Sequence, residues 1–300
     1  MLLETARQLI RNGHTVPLIW TCRSEEYYDA KEADYSSFAG EIGADFIDDI
    51  AINTDSNVKR ISSYGCDLAV SVNWLTILGP SVLRGFPFGV LNAHAGDLPL
   101  FRGNACPNWA IIAGESHVGL CIHQMLAELD AGPVLIRDKY SLNNDTYISD
   151  VYNWSESCVP AMFVDAVNGL ASGKVSAIPQ TTDLSKTLRT YPRRPEDGHI
   201  NWSMPTFAIH RLIRASSKPF SGAYTTLEGQ QKMTIWRAEI VEHPGQFLAI
   251  PGQICYRMDN DPVIACLDGV IRLTEIDLDG CAGSDEAKNV ISRSLRNRLV

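Results

Sequence analysis

Apolar residues in the first eleven positions recur at helical spacing. Leu3, Ala6 and Ile10 share one face, and Asn12-Gly13 supplies a C-terminal stop. The run Thr15-Val16-Pro17-Leu18-Ile19-Trp20 then reads as a strand, and Tyr35 to Gly43 as a second helix. Two short apolar runs bounded by turn residues, Asp67 to Val72 and Gly89 to His94, predict buried strands; the second follows a Phe-Pro-Phe-Gly turn. Asn104 to Gly114 fits a short helix, Val118 to Gln124 and Val134 to Tyr140 fit strands, and Asp145 to Gly173 holds a long helical pattern. Strands alternating with helices predict βαβ units, so the fold class is α/β with a mostly parallel sheet. From Pro179 to Pro205 the chain turns polar and rich in Pro, Arg and Thr, which predicts a linker at 181–204 after a domain at 1–180. Beyond it, Phe207 to Ala215 reads as a helix. Short apolar runs broken by Gly, Pro and Asp then predict a small β-rich domain at 205–300, a β-barrel.

Composition narrows the class. The chain has 300 residues, 45% apolar and 20% charged, enough to bury a core without metals or disulfides. Its net charge of −9 argues against a large polyanionic partner but leaves room for a small phosphorylated one. The eight cysteines contain no C-x-x-C pair, so no zinc spacing is visible, and scattered buried thiols in a reducing cytosol are expected. No apolar run approaches the roughly 18 residues of a membrane helix, and no signal pattern opens the chain. A soluble, cytoplasmic protein with no membrane partner follows as the default. There is no G-x-G-x-x-G, no P-loop and no G-x-S-x-G. His14, His117, His199, His210 and His243 stand in no ligand-like spacing, and His123 reads as a strand residue rather than a ligand.

The informative stretch is Asn92-Ala93-His94-Ala95-Gly96-Asp97-Leu98-Pro99-Leu100-Phe101-Arg102-Gly103. Asn92 and His94 lie two apart at the end of a strand, so alternation puts both on one face. In open parallel sheets, ligands bind at that carboxyl edge. A lone Asn-x-His is otherwise a polar strand end. The second stretch, Leu129-Asp130-Ala131-Gly132-Pro133-Val134, sets a carboxylate in a tight turn, where Asp is common for local reasons. A third, Tyr191 to Trp202, carries Arg193-Arg194-Pro195-Glu196-Asp197-Gly198 and would pass for a charged linker by itself.

Together these segments resemble the formyltransferase family. They match its Asn-x-His, its Leu-Pro-x-aromatic-Arg-Gly and its Leu-Asp-x-Gly, with 36 positions from His94 to Asp130. Trp109 to Glu115 and Gly119 to His123 look like its intervening helix and strand. The Arg193 to Trp202 segment looks like that of its two-domain members, as do Leu212 to Ala215 and Pro219 to Ala223. The resemblance implies a Rossmann-like sheet domain followed by an OB-like C-terminal barrel. It implies 10-formyltetrahydrofolate as cosubstrate, no metal, and Asn92, His94 and Asp130 as the catalytic trio. By the same resemblance, backbone around Trp74, Leu75, Thr76 and Ile77, with Val90 and Asp130, forms the pterin pocket. Arg102 and Gly103 belong to a substrate loop, as loop organiser or phosphate contact. The chemistry agrees with the trio: an amide such as Asn92 can donate to an oxyanion, an imidazole can serve as acid or base near neutral pH, and Asp130 can fix its charge. The departure is Ala95-Gly96-Asp97, where many members carry x-Ser-Leu beside the acceptor.

The acceptor amine divides the family. Members acting on initiator tRNA carry a basic clamp in the loop after the second strand. Here Arg23 to Asp34 holds Glu25, Glu26, Asp29, Glu32 and Asp34 against Arg23 and Lys31, which would repel a phosphate backbone. A nucleotide-linked amino sugar is therefore the expected acceptor. Methionyl-tRNA formyltransferase is the alternative, another small amine a further one, and a homodimer is left open. Relatives begin with a buried strand before the first helix, whereas this sequence starts within that helix. The expectation is a sheet with no strand ahead of Leu2 to Arg11, from a misplaced or truncated start. A truncated, non-catalytic relative is then the non-enzyme reading.

Overall fold

The computed structural model describes residues 1–24 and 29–300. Glu25 and Glu26 of the acidic loop thus lie outside the described residues. The chain forms two compact units: Met1–Cys106, Val118–Tyr140 and Tyr152–Thr190 make the first, and Pro107–His117, Ser141–Val151 and Tyr191–Val300 the second. Among the described residues no helix is long and apolar enough to cross a membrane.

The chain opens with α1 (Leu2–Arg11), β1 (Leu18–Thr21), α2 (Glu32–Ile42), β2 (Asp45–Asp48), α3 (Asp55–Ser63) and β3 (Ala69–Ser71). Local chemistry sets these boundaries. Gly43 ends α2 in the left-handed conformation, at φ +69°. The Thr54 hydroxyl caps α3 by accepting from the Asn57 amide. A short helix α4 (Pro80–Leu83), with Pro80 in its first turn, leads to β4 (Val90–His94) and β5 (Arg102–Gly103). Then come α5 (Cys106–Ala113), β6 (His117–Gln124), β7 (Val134–Ser141), α6 (Ile148–Ala171) and β8 (Arg189–Thr190).

In the first unit β3 and β4 are parallel, with Ser71 opposite Asn92, while β6 runs antiparallel to β4. The four-stranded order is β3-β4-β6-β7. Strands β1 and β2 form a separate parallel pair, and β5 pairs with β8. Among the described residues no strand precedes α1, and neither β1 nor β3 has a second partner. Both strands line one cavity of about 710 Å³. They also share their helical layers. Leu18, Trp20 and Ala69 pack with Ile52, Ile61 and Val82, whereas Ile19 packs with Leu3 and Ala6, and Val70 and Val72 with Leu9. The β1–β2 pair and the four-stranded sheet are therefore separate, with this cavity lined by both and shared helical layers on either side.

The second unit contains α7 (Thr206–Ser216), β9 (Ala223–Leu227), β10 (Gln231–Val241), β11 (Ile254–Met258), β12 (Asp261–Ala265), β13 (Val270–Leu278) and α8 (Ser284–Ile291). Its strands form one antiparallel sheet in the order β11-β12-β13-β10-β9. Ile209 and Ile213 of α7 and Ala287 and Ile291 of α8 bury against Met233, Ile235, Ile264, Ile271 and Leu273. The expected closed barrel is not found among the described residues. The edges are taken by the last residues of the chain instead: Leu299 bridges to Leu227 and Arg298 to Gln253, so β9 and β11 need no contact with each other. The segment expected as a linker divides. Residues to Thr190 group with the first unit through β8, while Ile200 and Trp202 are buried in the core of the second.

Candidate active site

Strand β4 carries Val90 and Leu91 into the core and ends with Asn92 and His94, which alternation sets on one side of the sheet. The antiparallel register places His123 of β6 opposite Asn92. Asp130 arrives from the turn between β6 and β7 with φ +51°, a left-handed conformation that Asp tolerates better than most residues. That turn is clamped from the segment after α6. The Gln180 amide donates to the carbonyls of Asp130 (2.8 Å) and Gly132 (2.6 Å), and its Oε1 accepts from Arg102 Nε (3.2 Å) and Nη2 (2.9 Å). Gly132 is required here: a Cβ would lie 1.7 Å from the Gln124 carbonyl oxygen.

These elements bring Asn92, His94, His123 and Asp130 into one buried cluster. Asp130 Oδ2 accepts the Gly103 amide at 2.8 Å and lies 3.5 Å from His94 Nδ1. On the other side of the ring, His94 Nε2 lies 2.7 Å from the Phe101 carbonyl oxygen. The Nε2 proton faces the carbonyl, and the carboxylate beside Nδ1 favours a second proton there, the imidazolium form. Burial opposes that charge, but contact with Cys106, the Asp130 carboxylate and the Phe101 carbonyl outweigh it and raise the pKa to about 9. His123 behaves in the opposite way. Burial and then the His94 charge lower its pKa to about 4. Its Nδ1 lies 3.1 Å from the Gln124 carbonyl and carries the single proton; Nε2 then accepts from Asn92 Nδ2 at 3.3 Å. The 3.7 Å approach of His123 Nε2 to Asp130 Oδ1 is therefore a contact of a neutral ring, not an ion pair. His123 fixes the Asn92 amide with nitrogen as donor, leaving one N–H for another acceptor.

Of the other expected site residues, Arg102 is buried and turns its guanidinium to Gln180 and to Glu128 at 3.6 Å. Gly103 holds Asp130. Leu75 and Ile77 expose their side chains, Trp74 Nε1 donates to Thr76 Oγ1 at 2.8 Å, and the Val90 carbonyl accepts from Met125. The large cavity reaches Trp74, Leu75 and Val90 but not Thr76, Ile77, Asp130 or the other members of the trio. No group of three metal-ligating side chains occurs among the described residues. Sequence reasoning passed over His123, Cys106 and Gln180. His123 becomes visible only once the β4–β6 register is known, and Gln180 is the residue just before the stretch read as a linker.

Two family models match the chain. One, described as formyl transferase, matches residues 45–167; the other, formyl transferase C-terminal domain, matches 193–289. Among solved structures, an N-formyltransferase from Helicobacter canadensis, in complex with folinic acid and dTDP-3-aminofucose, is 15% identical with a TM-score of 0.62. That match covers 90% of this chain and 94% of the other. HypX from Aquifex aeolicus in complex with tetrahydrofolic acid is 18% identical with a TM-score of 0.61, covering 87% of this chain. The chain spans only 44% of that protein's length. Methionyl-tRNA formyltransferase from Clostridium thermocellum is 16% identical with a TM-score of 0.55, covering 75% of this chain and 94% of the other. At such identities the likeness is one of fold. With both family models matched along its length and the buried Asn-His-Asp cluster at the end of β4, the chain belongs to the formyltransferase family.

Proposed function

We propose that the chain transfers the formyl group of 10-formyltetrahydrofolate to a primary amine, with Asn92, His94 and Asp130 as catalytic residues. The observation that carries this reading is the protonated His94 held between Asp130 and the Phe101 carbonyl, next to an amide whose N–H is aimed by His123. In the reaction the amine nitrogen bonds to the formyl carbon, the carbonyl oxygen becomes an oxyanion, and the bond to the folate nitrogen breaks as that nitrogen gains a proton. Asn92 supplies the oxyanion donor, an effect worth about 3–4 kcal/mol for comparable amides. His94 supplies positive charge beside the oxyanion and the proton for the leaving nitrogen. Asp130 keeps His94 charged and takes up the amine's proton through water. The folate is read as lying along the carboxyl edge of the sheet, by Trp74 to Ile77, Val90 and Asp130. The exposed Leu75 and Ile77 offer the apolar contact a flat ring system covers. Residues 1–180 are read as the catalytic domain and 205–300 as an OB-like appendage.

For the acceptor, a nucleotide-linked amino sugar is preferred. The net charge of −9 and the carboxylates Asp29, Glu32 and Asp34 support it, since they oppose a tRNA backbone. The test is a formylation assay with 10-formyltetrahydrofolate against UDP- and dTDP-linked 3-amino and 4-amino sugars and charged initiator tRNA, over a range of salt. Efficient formylation of a sugar with shallow salt dependence is the expected result. Formylation of tRNA alone, falling steeply with salt, would reverse the preference. In the same assay Asn92→Ala should lower turnover about 100-fold or more at nearly unchanged melting temperature.

A further inference from the structure

We propose that Cys106 is a positioning residue for His94: its sulfur, with the Phe101 carbonyl, fixes the orientation of the imidazole and the direction of its Nε2 proton. This rests on the reading of His94 as the acid of the site. Cys106 is the first residue of α5 and is buried. Its Sγ lies 3.7 Å from His94 Nε2, 3.2 Å from Thr190 Oγ1 and 3.4 Å from the Gly103 carbonyl. The Thr190 hydroxyl donates to the Arg102 carbonyl at 3.2 Å, so its oxygen faces Cys106 as an acceptor. The thiol proton is drawn to Thr190 or Gly103, both of which accept, and a sulfur lone pair is left for His94 Nε2–H. The imidazole proton is thus shared between a carbonyl and a sulfur whose own proton is committed elsewhere.

The rest of the surroundings leaves the ring little choice. A Cβ on Gly96 would lie 2.5 Å from His94 Nε2 and from the Phe101 carbonyl oxygen, so the backbone of that loop lies directly against the ring. The titratable groups around His94 are few. Asp130 lies on the Nδ1 side, from the turn before β7. His123 of β6 stands edge-on at a centroid distance of 6.0 Å and is neutral. Arg102 of β5 turns its guanidinium to Gln180 and Glu128. Cys121 of β6 lies opposite His94 in register but gives its thiol to the Gly96 carbonyl, so among the described residues Cys106 is the titratable side chain in contact with Nε2. An inert packing thiol would fill the same volume without influencing how His94 titrates, and that difference is measurable.

The experiment is a ¹⁵N-histidine NMR titration of the full chain and its Cys106→Ala, Cys106→Ser and Thr190→Val variants, with kcat/KM followed over the same pH range. Cys266→Ala, in the core of the second unit, is the control for loss of a buried thiol. Cys106→Ala should lower the His94 midpoint by about one pH unit, a tenfold change in the ratio of charged to neutral ring. Serine, which keeps a lone pair at that position, should restore most of the shift. Thr190→Val, which frees the thiol proton, should move the midpoint in the same direction by less. The loss of activity should fall on kcat rather than KM. Coincident midpoints in all four proteins would overturn the proposal. If Cys106→Ala does not fold, an unshifted midpoint in Thr190→Val overturns it equally. The titration needs no turnover: a shifted midpoint in a protein that formylates nothing would refute the function and leave the positioning role standing.

Discussion

Replacing Asp130 by Asn tests the electrostatic core of the site. The amide is isosteric, and its oxygen can still accept the Gly103 N–H that the carboxylate accepts at 2.8 Å. What disappears is a full negative charge 3.5 Å from His94 Nδ1. At an effective dielectric of about 20, that attraction is roughly 4–5 kcal/mol before desolvation is charged against it. The net advantage of the charged ring is smaller. A pKa raised from 6.5 to about 9 corresponds to about 3 kcal/mol. The protein supplies an internal comparison. His210 is also buried and is pushed down to about 4 by burial and by Arg214, which outweigh the Ala238 carbonyl and Asp145. Asp130→Asn should therefore lower the His94 midpoint, while contact with Cys106, the larger cause of its rise, stays in place. With less of the acid form present and the carboxylate itself gone, kcat should fall about 100-fold or more while KM changes little. Histidine NMR gives the midpoint and steady-state formylation gives the rate. An unshifted His94 midpoint would refute the assignment of Asp130 as one of the groups that sustain its charge.

Three further outcomes are expected. Stability should be greatest near pH 6.5. The raised His94 pKa contributes stability present below 6.5 and lost as pH rises through about 9, whereas the depressed His123 and His210 cost stability as pH falls from 6.5 toward about 4; melting curves between pH 4 and 9.5 that lack this maximum would contradict both directions. Gly132→Ala should destabilise by about 2 kcal/mol or more in chemical denaturation, because its Cβ meets the Gln124 carbonyl oxygen at 1.7 Å, and wild-type stability would show that the turn yields freely. Gln180→Ala strips the Asp130 and Gly132 carbonyls and Arg102 of a shared partner, and should cost about 1–3 kcal/mol in the same assay together with about tenfold in kcat, an effect absent if Gln180 merely covers surface.

The elements with strong periodicity were the legible ones. Helix α1 and strands β4, β6 and β7 lie within a residue or two of where the apolar pattern places them. Strand β2 and helix α3 were missed because Asp-Phe-Ile-Asp and Asp-Ser-Asn-Val-Lys-Arg-Ile carry too few apolar residues to show a period, and they are held by packing instead. Asn92 and His94 were legible because one strand presents both. Asp130 needed the resemblance, since an Asp in a turn is ordinary. Cys106, His123 and Gln180 were not legible, because their roles arise from register and from a return of the chain 50 residues after Asp130. Whether the sheet closes was illegible for a related reason. Strand count can be read from turn residues, but what occupies a sheet's edge depends on where the chain's last residues go.

The cavity lined by β1 and β3 makes the first unit a structure with a seam. Among the described residues no strand pairing crosses it, so the β1–β2 pair is joined to the four-stranded sheet by helix packing and by loop contacts such as Asn53 with Ile77 and Gly79. Such a boundary separates cooperative units, and the smaller part can open without disturbing the larger. Asn92, His94 and His123 all stand on the far side, on β4 and β6, insulated from fluctuations of β1 and β2. In hydrogen exchange the amides of Leu18–Thr21 should lose protection well before those of Val90–His94.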